Sequence, residues 1–207
     1  MRLTAKYQPL EIAEFIGLDE PKRIIGKWLE SPYPAAFLFA GESGTGKSAM
    51  AKAIARALNG EQWDSPFTRI FIPSQDCKLE MVREIQNRIM YAPWGSHWVI
   101  QVDEADLMST AAQNAFLSLL DSIPDRVVII FTCNQTEGLE PRFLSRCCQV
   151  RFSSYGLNGA GSAFLKHVWD AESSAPAPNF VRVLKDSRNN LRDALMVLER
   201  ELLAVTQ

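Results

Sequence analysis

Unbroken apolar runs alternate with stretches of helical spacing between about residue 20 and residue 152. Five runs are strand-like, and in chain order they are AAFLFAG at 35–41, RIFI at 69–72, HWVIQVD at 97–103, RVVIIFTC at 126–133 and CQVRF at 148–152. Strands that are apolar on both faces and separated by helices are typical of a parallel sheet covered on both sides. We therefore predict an α/β fold with a five-stranded parallel sheet and helices on both faces.

Helical periodicity separates these strands. We predict helices from Lys47 to Leu58, over 79–91, where apolar residues recur at 79, 82, 85 and 89, and over 110–123, with Ser109 or Thr110 as the cap. Gln101 is a polar interruption of the third strand, which we expect to face a helix or an edge and to which we assign no function.

After Phe152 the pattern becomes helical only. A Gly/Ser-rich connector, SSYGLNGAGS, is followed by helix-like segments at 160–171, 178–186 and 190–204. We predict an α/β domain over 1–152 and a small all-helical domain over 153–207.

Composition and charge narrow the function classes. The 207 residues are 47% hydrophobic and 22% charged, which is ordinary for a globular protein. No apolar run approaches the ~18 residues of a membrane span, and no secretory signal pattern is present, so we expect a cytoplasmic protein without a membrane partner. The net charge of −2 argues against the chain as a whole being a basic nucleic-acid binder, so DNA contact would need a local patch or several copies.

The cysteines raise the question of a metal or redox site, above all in EPRFLSRCC at 140–148. No Cys-x-x-Cys pair occurs, and His97 and His167 lie at no regular ligand spacing. Zinc and disulfide bonds are therefore disfavoured. The arginine of this stretch, Arg146, becomes the residue of interest.

GESGTGKS at 41–48 matches the phosphate-loop pattern G-x-x-x-x-G-K-[ST], between a predicted strand and a predicted helix. Glycines let successive backbone N–H groups point at phosphate oxygens, and the helix N-terminus adds positive potential. Lys47 would reach the outer phosphates and Ser48 would bind Mg²⁺; a Gly-rich turn is the disfavoured alternative. The predicted phosphate-binding residues are Gly41, Glu42, Ser43, Gly44, Thr45, Gly46, Lys47, Ser48 and Ala49.

Polar residues follow two of the other strands. Asp103 and Glu104 end the strand in VIQVDEAD, where Asp103 would hold Mg²⁺ and Glu104 would polarise the attacking water. Asn134 ends FTCN and would orient that water or touch the outer phosphate, although asparagine at a strand end is often only a turn former.

The phosphate loop, VDEAD, FTCN and SRC, in this order, resemble an AAA+ ATPase of the clamp-loader branch, which includes the small subunits of replication factor C. KYQPLEIAEFIG at 6–17 and NLRDALMVLE at 190–199 are similar to the N-terminal and lid segments of that family, with Gln8 where arginine is usual. The resemblance implies a P-loop NTPase sheet with a helical lid, ATP and Mg²⁺, and ATP-dependent loading of a sliding clamp on primer–template DNA during replication.

The resemblance also assigns residues. Tyr7, Pro9, Ile16 and Gly17 would line the adenine pocket. Asn134 would be sensor 1, and Arg192 would be the sensor 2 arginine, with a solvated helix charge as the alternative. Arg146 would be an arginine finger that acts on the nucleotide of an adjacent AAA+ subunit in a homo- or hetero-oligomer, and Arg142 would support that interface or remain a surface charge.

Departures from the family keep other functions open. The collar domain of the family has no counterpart within these residues, so we expect stable rings only where partners supply contacts. Pro73 lies near the position where relatives carry a polar residue that restrains the catalytic glutamate. The alternatives are a nucleotide-binding regulatory subunit with little turnover, or an AAA+ ATPase for phage or plasmid replication initiation or DNA repair.

Local DNA contact is predicted on the 79–91 helix. Arg83 and Arg88 would face the central channel of a ring, where repeated charges would follow a phosphate backbone. Because Glu80 and Glu84 share this helix, a solvated charged face is the alternative.

Overall fold

The computed structural model describes residues 2–205, and within them lies one five-stranded sheet. All pairings are parallel, in the order β2-β3-β4-β1-β5. The strands are β1 Ala35–Ala40, β2 Arg69–Pro73, β3 Trp98–Asp103, β4 Val127–Cys133 and β5 Cys148–Arg151. The prediction of a five-stranded parallel sheet is confirmed, and β1 lies inside it, between β4 and β5.

Helices connect the strands and follow the last one. In chain order the α-helices of residues 2–205 are α1 Leu3–Lys6, α2 Asp19–Leu29, α3 Lys47–Asn59, α4 Leu79–Arg88, α5 Thr110–Asp121, α6 Pro141–Leu144, α7 Asn158–Glu172, α8 Phe180–Asp186 and α9 Leu191–Val205. Among these residues, no helix is both long and apolar enough to span a bilayer.

Alternate residues of each inner strand enter different apolar layers. Leu38 of β1 and Phe131 of β4 pack on one face with side chains of α4, α5 and α6. Phe37 and Phe39 of β1 pack on the other face with side chains of α2 and α3. Both faces are therefore covered, which explains why the inner strands read as unbroken apolar runs.

The C-terminal helices form a third apolar layer of their own. Leu165 and Trp169 of α7, Leu184 of α8 and Leu198 of α9 are buried together. Leu3 of α1 joins this layer, so the start of the chain packs against its last helices. The division into domains after residue 152 stays a prediction, and the packing of α1 adds that the N-terminal segment contacts the helical layer.

Helix bounds differ from the predicted ones where tertiary contacts decide them. Helix α2 was not predicted, because its buried Ile25 and Trp28 stand among charged residues. Helix α4 ends at Arg88 instead of residue 91. Helix α7 begins at Asn158, inside the stretch read as a connector. One glycine there, Gly161, serves close packing, since a Cβ on it would lie 2.8 Å from Leu184 Cδ2.

Candidate functional site

The phosphate loop connects the end of β1 to the start of α3, at the carboxyl edge of the sheet. Gly44 has a φ of 80°, and a Cβ there would lie 2.3 Å from Asn190 Oδ1. A Cβ on Gly41 would lie 1.9 Å from the carbonyl oxygen of Phe152. Glycine is thus required at both positions by close neighbours, and the loop takes the left-handed backbone that phosphate cradling uses.

Lys47 is the first residue of α3, and its side chain, which is directed back into this loop, leaves the residue 8% exposed. Its Nζ donates to the carbonyl oxygens of Gly41 (2.6 Å) and Glu42 (2.8 Å) and to Oδ1 of Asn134 (3.2 Å). Burial lowers the pKa of Lys47, and the nearby guanidinium of Arg192 lowers it further, against the opposing charges of Asp103 and Asp106. The ammonium group is therefore held next to the loop by acceptors that a polyphosphate could replace.

Asp103 and Glu104 stand at the carboxyl end of β3, beside β4. Asp103 Oδ1 accepts hydrogen bonds from Thr132 Oγ1 (3.1 Å) and Gln101 Nε2 (2.8 Å). Glu104 has left-handed backbone angles (φ 57°, ψ 46°), and its N–H donates to Thr132 Oγ1 at 3.2 Å. This uncommon conformation turns the exposed Glu104 side chain away from the strand direction.

A cavity of about 1040 Å³ joins these groups. It lies between the sheet edge and the C-terminal helices, and it receives most of the predicted site residues. Those that line it are Tyr7, Pro9, Ile16, Ser43, Gly44, Thr45, Gly46, Lys47, Ser48, Ala49, Asp103, Glu104, Asn134 and Arg192. The structure thus brings residues from five distant segments to one place, as a single ligand would require.

Four predicted residues do not line the cavity. Gly41 and Glu42 instead turn their carbonyl groups to Lys47. Gly17, with a φ of 66°, packs against Leu157, whose Cδ2 would lie 2.6 Å from an added Cβ. Arg146 lies elsewhere, between α6 and β5.

The cavity also has walls that sequence reasoning missed. Phe15 and Leu18 come from the N-terminal segment, Phe164 and His167 from α7, and Leu195 from α9. Their spacing carries no local signal, because each is one apolar or aromatic position in a separate segment. Together they add apolar and aromatic surface to the cavity, which suits a planar base.

Tyr7 lines the cavity and is hydrogen-bonded to α7. Its hydroxyl donates to Glu172 Oε1 at 2.5 Å, and Lys6 Nζ donates to the same oxygen at 2.6 Å. Burial and the Glu172 carboxylate raise the pKa of Tyr7 to about 12. The N-terminal segment is therefore fastened to α7 through a neutral phenol and a charged carboxylate.

A magnesium ion fits the oxygen donors present. Ser48 and Asp103 line the same cavity, and within residues 2–205 the hydrogen bonds to Asp103 all go to Oδ1. No cluster of three or more His, Cys, Asp or Glu side chains with metal-binding geometry occurs among these residues. Mg²⁺ in nucleotide sites typically takes one or two protein oxygens and completes its shell with phosphates and water.

Arg146 makes contacts within its own chain. Its Nε donates to Asp121 Oδ1 at 2.6 Å, and its Nη1 donates to the carbonyl oxygen of Arg142 at 2.6 Å. The carboxylate of Asp121 raises the pKa of Arg146. The guanidinium is thus held outside the cavity of its own chain, on a part-exposed surface.

The neighbouring cysteines differ from each other. Cys147 is buried, and burial raises its pKa to about 12, so that its thiol stays protonated. Cys148 begins β5 and is exposed, although the sequence pattern predicts a strand that is covered on both faces. Neither is in a disulfide within the described part of the chain.

The two arginines of α4 differ as well. Arg83 is exposed. Arg88 donates to the carbonyl oxygen of Pro66 and lies 5.7 Å from the ring centroid of Trp98. Arg88 therefore has intramolecular partners that a phosphate backbone would have to displace.

Comparison with known proteins gives one matching family model and several similar relatives. The family model described as "ATPase family associated with various cellular activities (AAA)" matches residues 37–155, from β1 to just beyond β5. The chain is similar to replication factor C small subunits: 27% identical to that of Halobacterium salinarum over 81% of this chain and 52% of the relative, and 32% identical to that of Methanocella arvoryzae over 72% and 47%. The chain spans about half the length of these curated relatives.

Among solved structures, a RuvB variant from Thermotoga maritima matches with a TM-score of 0.72 at 18% identity, covering 96% of this chain and 67% of that one. At this identity the likeness concerns the fold alone. It agrees with the parallel sheet and the helices that follow it.

Proposed function

The chain belongs to the AAA family of ATPases, and on that premise we propose that it binds and hydrolyses Mg²⁺–ATP as a clamp-loader-type subunit in DNA replication. One observation carries the proposal: residues 43–48 of the phosphate loop, the Asp103–Glu104 pair, Asn134 and Arg192 all line one cavity. The similarity to replication factor C small subunits supports the replication role, and it agrees with the resemblance found in the motifs.

The residues divide the chemistry among them. Lys47 would exchange its carbonyl partners for the outer phosphate oxygens, and Asp103 and Ser48 would hold Mg²⁺. When bound, Mg²⁺ neutralises charge on the phosphates. Glu104 would polarise the attacking water, Asn134 would orient it, and Arg192 would reach the outer phosphate from α9.

We further propose that Arg146 acts in trans, on the nucleotide of a neighbouring AAA+ subunit. Two observations support this: Arg146 does not line the cavity of its own chain, and its partner Asp121 lies on a part-exposed surface. A finger arginine typically contributes 10³-fold or more to phosphoryl transfer. The homo- or hetero-oligomer that this requires is part of the proposal, as is cytoplasmic operation.

A sliding clamp is the proposed protein partner, and an exposed apolar patch supports it. The patch consists of Phe67, Met90, Tyr91 and Trp94, which are 44%, 78%, 75% and 71% exposed. The rings of Phe67 and Trp94 stack at 4.0 Å. Because Phe67 precedes β2 and Trp94 precedes β3, the patch lies at the amino ends of the strands, opposite the nucleotide cavity. Exposed apolar patches of this kind mark protein contacts.

Steady-state ATP hydrolysis, measured with and without primed DNA and the sliding clamp of the same organism, tests the proposal. We expect stimulation by both together. Tyr91→Ser should remove the clamp effect, whereas Tyr155→Ser, at an exposed tyrosine outside the patch, should keep it. A chain that binds ATP but responds to neither partner would count against a clamp-loader role.

Pro73 favours a second candidate, a nucleotide-binding assembly subunit with little turnover. It pairs in register with Asp103 and lines the cavity, yet its side chain offers no polar group to restrain Glu104. Single-turnover hydrolysis by the wild-type chain and by Glu104→Gln separates the two candidates. Equal, near-zero rates would favour the assembly subunit.

A further inference from the structure

A row of polar side chains crosses the sheet from its β2 edge to the nucleotide cavity. Gln101 lies within this row and is completely buried. Val99, Gln101 and Asp103 alternate onto the face of β3 that α3 covers, where Val99 packs with Met50 and Ile54. A polar amide at such a position is costly unless both of its ends are hydrogen-bonded.

Both ends of the Gln101 amide have partners of opposite charge. Its Oε1 accepts from Arg69 Nη2 at 2.9 Å, and its Nε2 donates to Asp103 Oδ1 at 2.8 Å. A guanidinium has only donors and a carboxylate has only acceptors. The two flanking charges therefore permit one orientation of the amide, with its N–H groups toward Asp103.

Arg69 is itself confined. Its side chain is 10% exposed and forms an ion pair with Asp64. The guanidinium carbon lies 5.6 Å from the ring centroid of Trp63 and 5.4 Å from that of Phe71. Held by an ion pair and two aromatic faces, Arg69 cannot turn away from Gln101 without losing several contacts.

The oriented Gln101 amide in turn fixes one oxygen of the Asp103 carboxylate. Its Oδ1 accepts from both Gln101 and Thr132, whereas Oδ2 accepts no hydrogen bond within residues 2–205. These hydrogen bonds hold the carboxylate in one rotamer and leave Oδ2 available to a metal ion. Partners of this kind, one step behind a metal ligand, typically change metal affinity or activity 10–100-fold when they are removed.

We propose that Gln101, oriented by Arg69, is a positioning residue that sets the Asp103 carboxylate for Mg²⁺. This inference rests on the proposed function, because it assigns the metal to Asp103. It gives a role to the polar interruption of β3 that the sequence alone left without one.

The test compares Gln101→Met, which keeps the side-chain length and removes both hydrogen bonds, with Gln149→Met, a matched change on the exposed part of β5. Mn²⁺ titration followed by EPR, with a non-hydrolysable ATP analogue bound, measures metal affinity without turnover. We expect affinity to fall about 10-fold in Gln101→Met and to stay unchanged in Gln149→Met. Nucleotide affinity in EDTA should stay unchanged in both.

Arg69→Met and the double variant separate positioning from general destabilisation. Because Arg69 acts through Gln101, adding Arg69→Met to Gln101→Met should cause no further loss of metal affinity, although each substitution adds to the loss of thermal stability. If the fold-losses of metal affinity in the two single variants multiplied in the double variant, the inference that Arg69 acts through Gln101 would be overturned.

The outcomes distinguish this inference from the proposed function. Equal Mn²⁺ affinity in the wild type and Gln101→Met overturns the inference, whatever the hydrolysis rate. A 10-fold loss in a chain that never hydrolyses ATP upholds it and rejects the ATPase proposal. A wild-type chain that binds no Mn²⁺ with the nucleotide overturns both.

Discussion

Asn190 connects the phosphate loop to the start of α9, and Asn190→Ala tests that connection. The Nδ2 of Asn190 donates to the carbonyl oxygen of Ser43 at 2.8 Å. Its Oδ1 accepts from the backbone N–H groups of Arg192 (3.0 Å) and Asp193 (3.3 Å), in the manner of a helix cap. One side chain thus caps the helix that carries Arg192 and holds the loop that would bind phosphate.

The loss of unfolding free energy that we expect for Asn190→Ala has two parts. Loss of an asparagine cap costs about 1 kcal/mol, and loss of a partly exposed hydrogen bond costs about 0.5–1 kcal/mol. We therefore expect Asn190→Ala to lower the free energy of unfolding by about 1.5–2 kcal/mol, or the melting temperature by roughly 3–8 °C for a chain of this size. Because Ser43 and Arg192 both line the cavity, nucleotide affinity should fall as well.

Asn179→Ala is the matched control. Asn179 caps α8 by accepting from Arg182 N at 3.0 Å, and no contact joins it to the loop. Urea unfolding and titration with a fluorescent nucleotide should show about 1 kcal/mol lost and unchanged nucleotide affinity in the control. Equal losses of stability and of affinity in the two variants would refute the idea that Asn190 joins the loop to α9.

Three further predictions concern the site. Lys47→Ala should abolish nucleotide binding in equilibrium titration, because its Nζ is the ammonium group held at the loop carbonyls of Gly41 and Glu42, whereas Lys27→Ala, at an exposed position of α2, should bind normally. Arg146→Ala should keep nucleotide affinity and reduce turnover by about 10³-fold, but only at concentrations where subunits associate; equal activity at high protein concentration would reject the finger role. The pKa of Tyr7 is raised to about 12, so the unfolded chain loses this proton at a lower pH than the folded chain does. The stabilising effect of Tyr7 is therefore present below pH 10 and is lost as the pH rises to about 12. Tyr7→Phe should flatten that part of the curve of unfolding free energy against pH, measured by chemical unfolding, and an unchanged curve would contradict this prediction.

The strands and the phosphate loop were predictable because their signals are local. Unbroken apolar runs mark strands covered on both faces, and the glycine spacing of residues 41–48 serves one backbone shape. The end of α4 was less predictable. Apolar spacing continues to the buried Ile89, which is the C-cap residue and donates its N–H to the carbonyl oxygen of Ile85, so the apolar pattern extends past the last helical residue, Arg88.

Other features depend on contacts between distant segments. Nothing near Gln101 in the sequence indicates that Arg69, from another strand, supplies the charge that orients its amide. Gln113 illustrates the same limit. It lies three residues after Thr110, which is the spacing of a capping box. In the structure Ser109 caps the helix, and Gln113 is hydrogen-bonded to the backbone of Met108, Gly138 and Glu140. Such roles follow from the fold, since strand order and register decide which side chains meet.

The cavity is lined on one side by the carboxyl edge of the sheet and on the other by the C-terminal helical layer. The loop, Asp103 and Asn134 belong to the sheet, whereas Phe164, His167 and Arg192 belong to the helical layer. A direct polar link between them is the hydrogen bond from Asn190 to the carbonyl oxygen of Ser43, which lines the cavity. A nucleotide that contacts both layers adds further links, so its binding free energy depends on how the layers are arranged. A neighbouring subunit that favours one arrangement of the layers therefore changes nucleotide affinity by some factor. By the reciprocity of linked equilibria, the nucleotide changes the affinity for that subunit by the same factor.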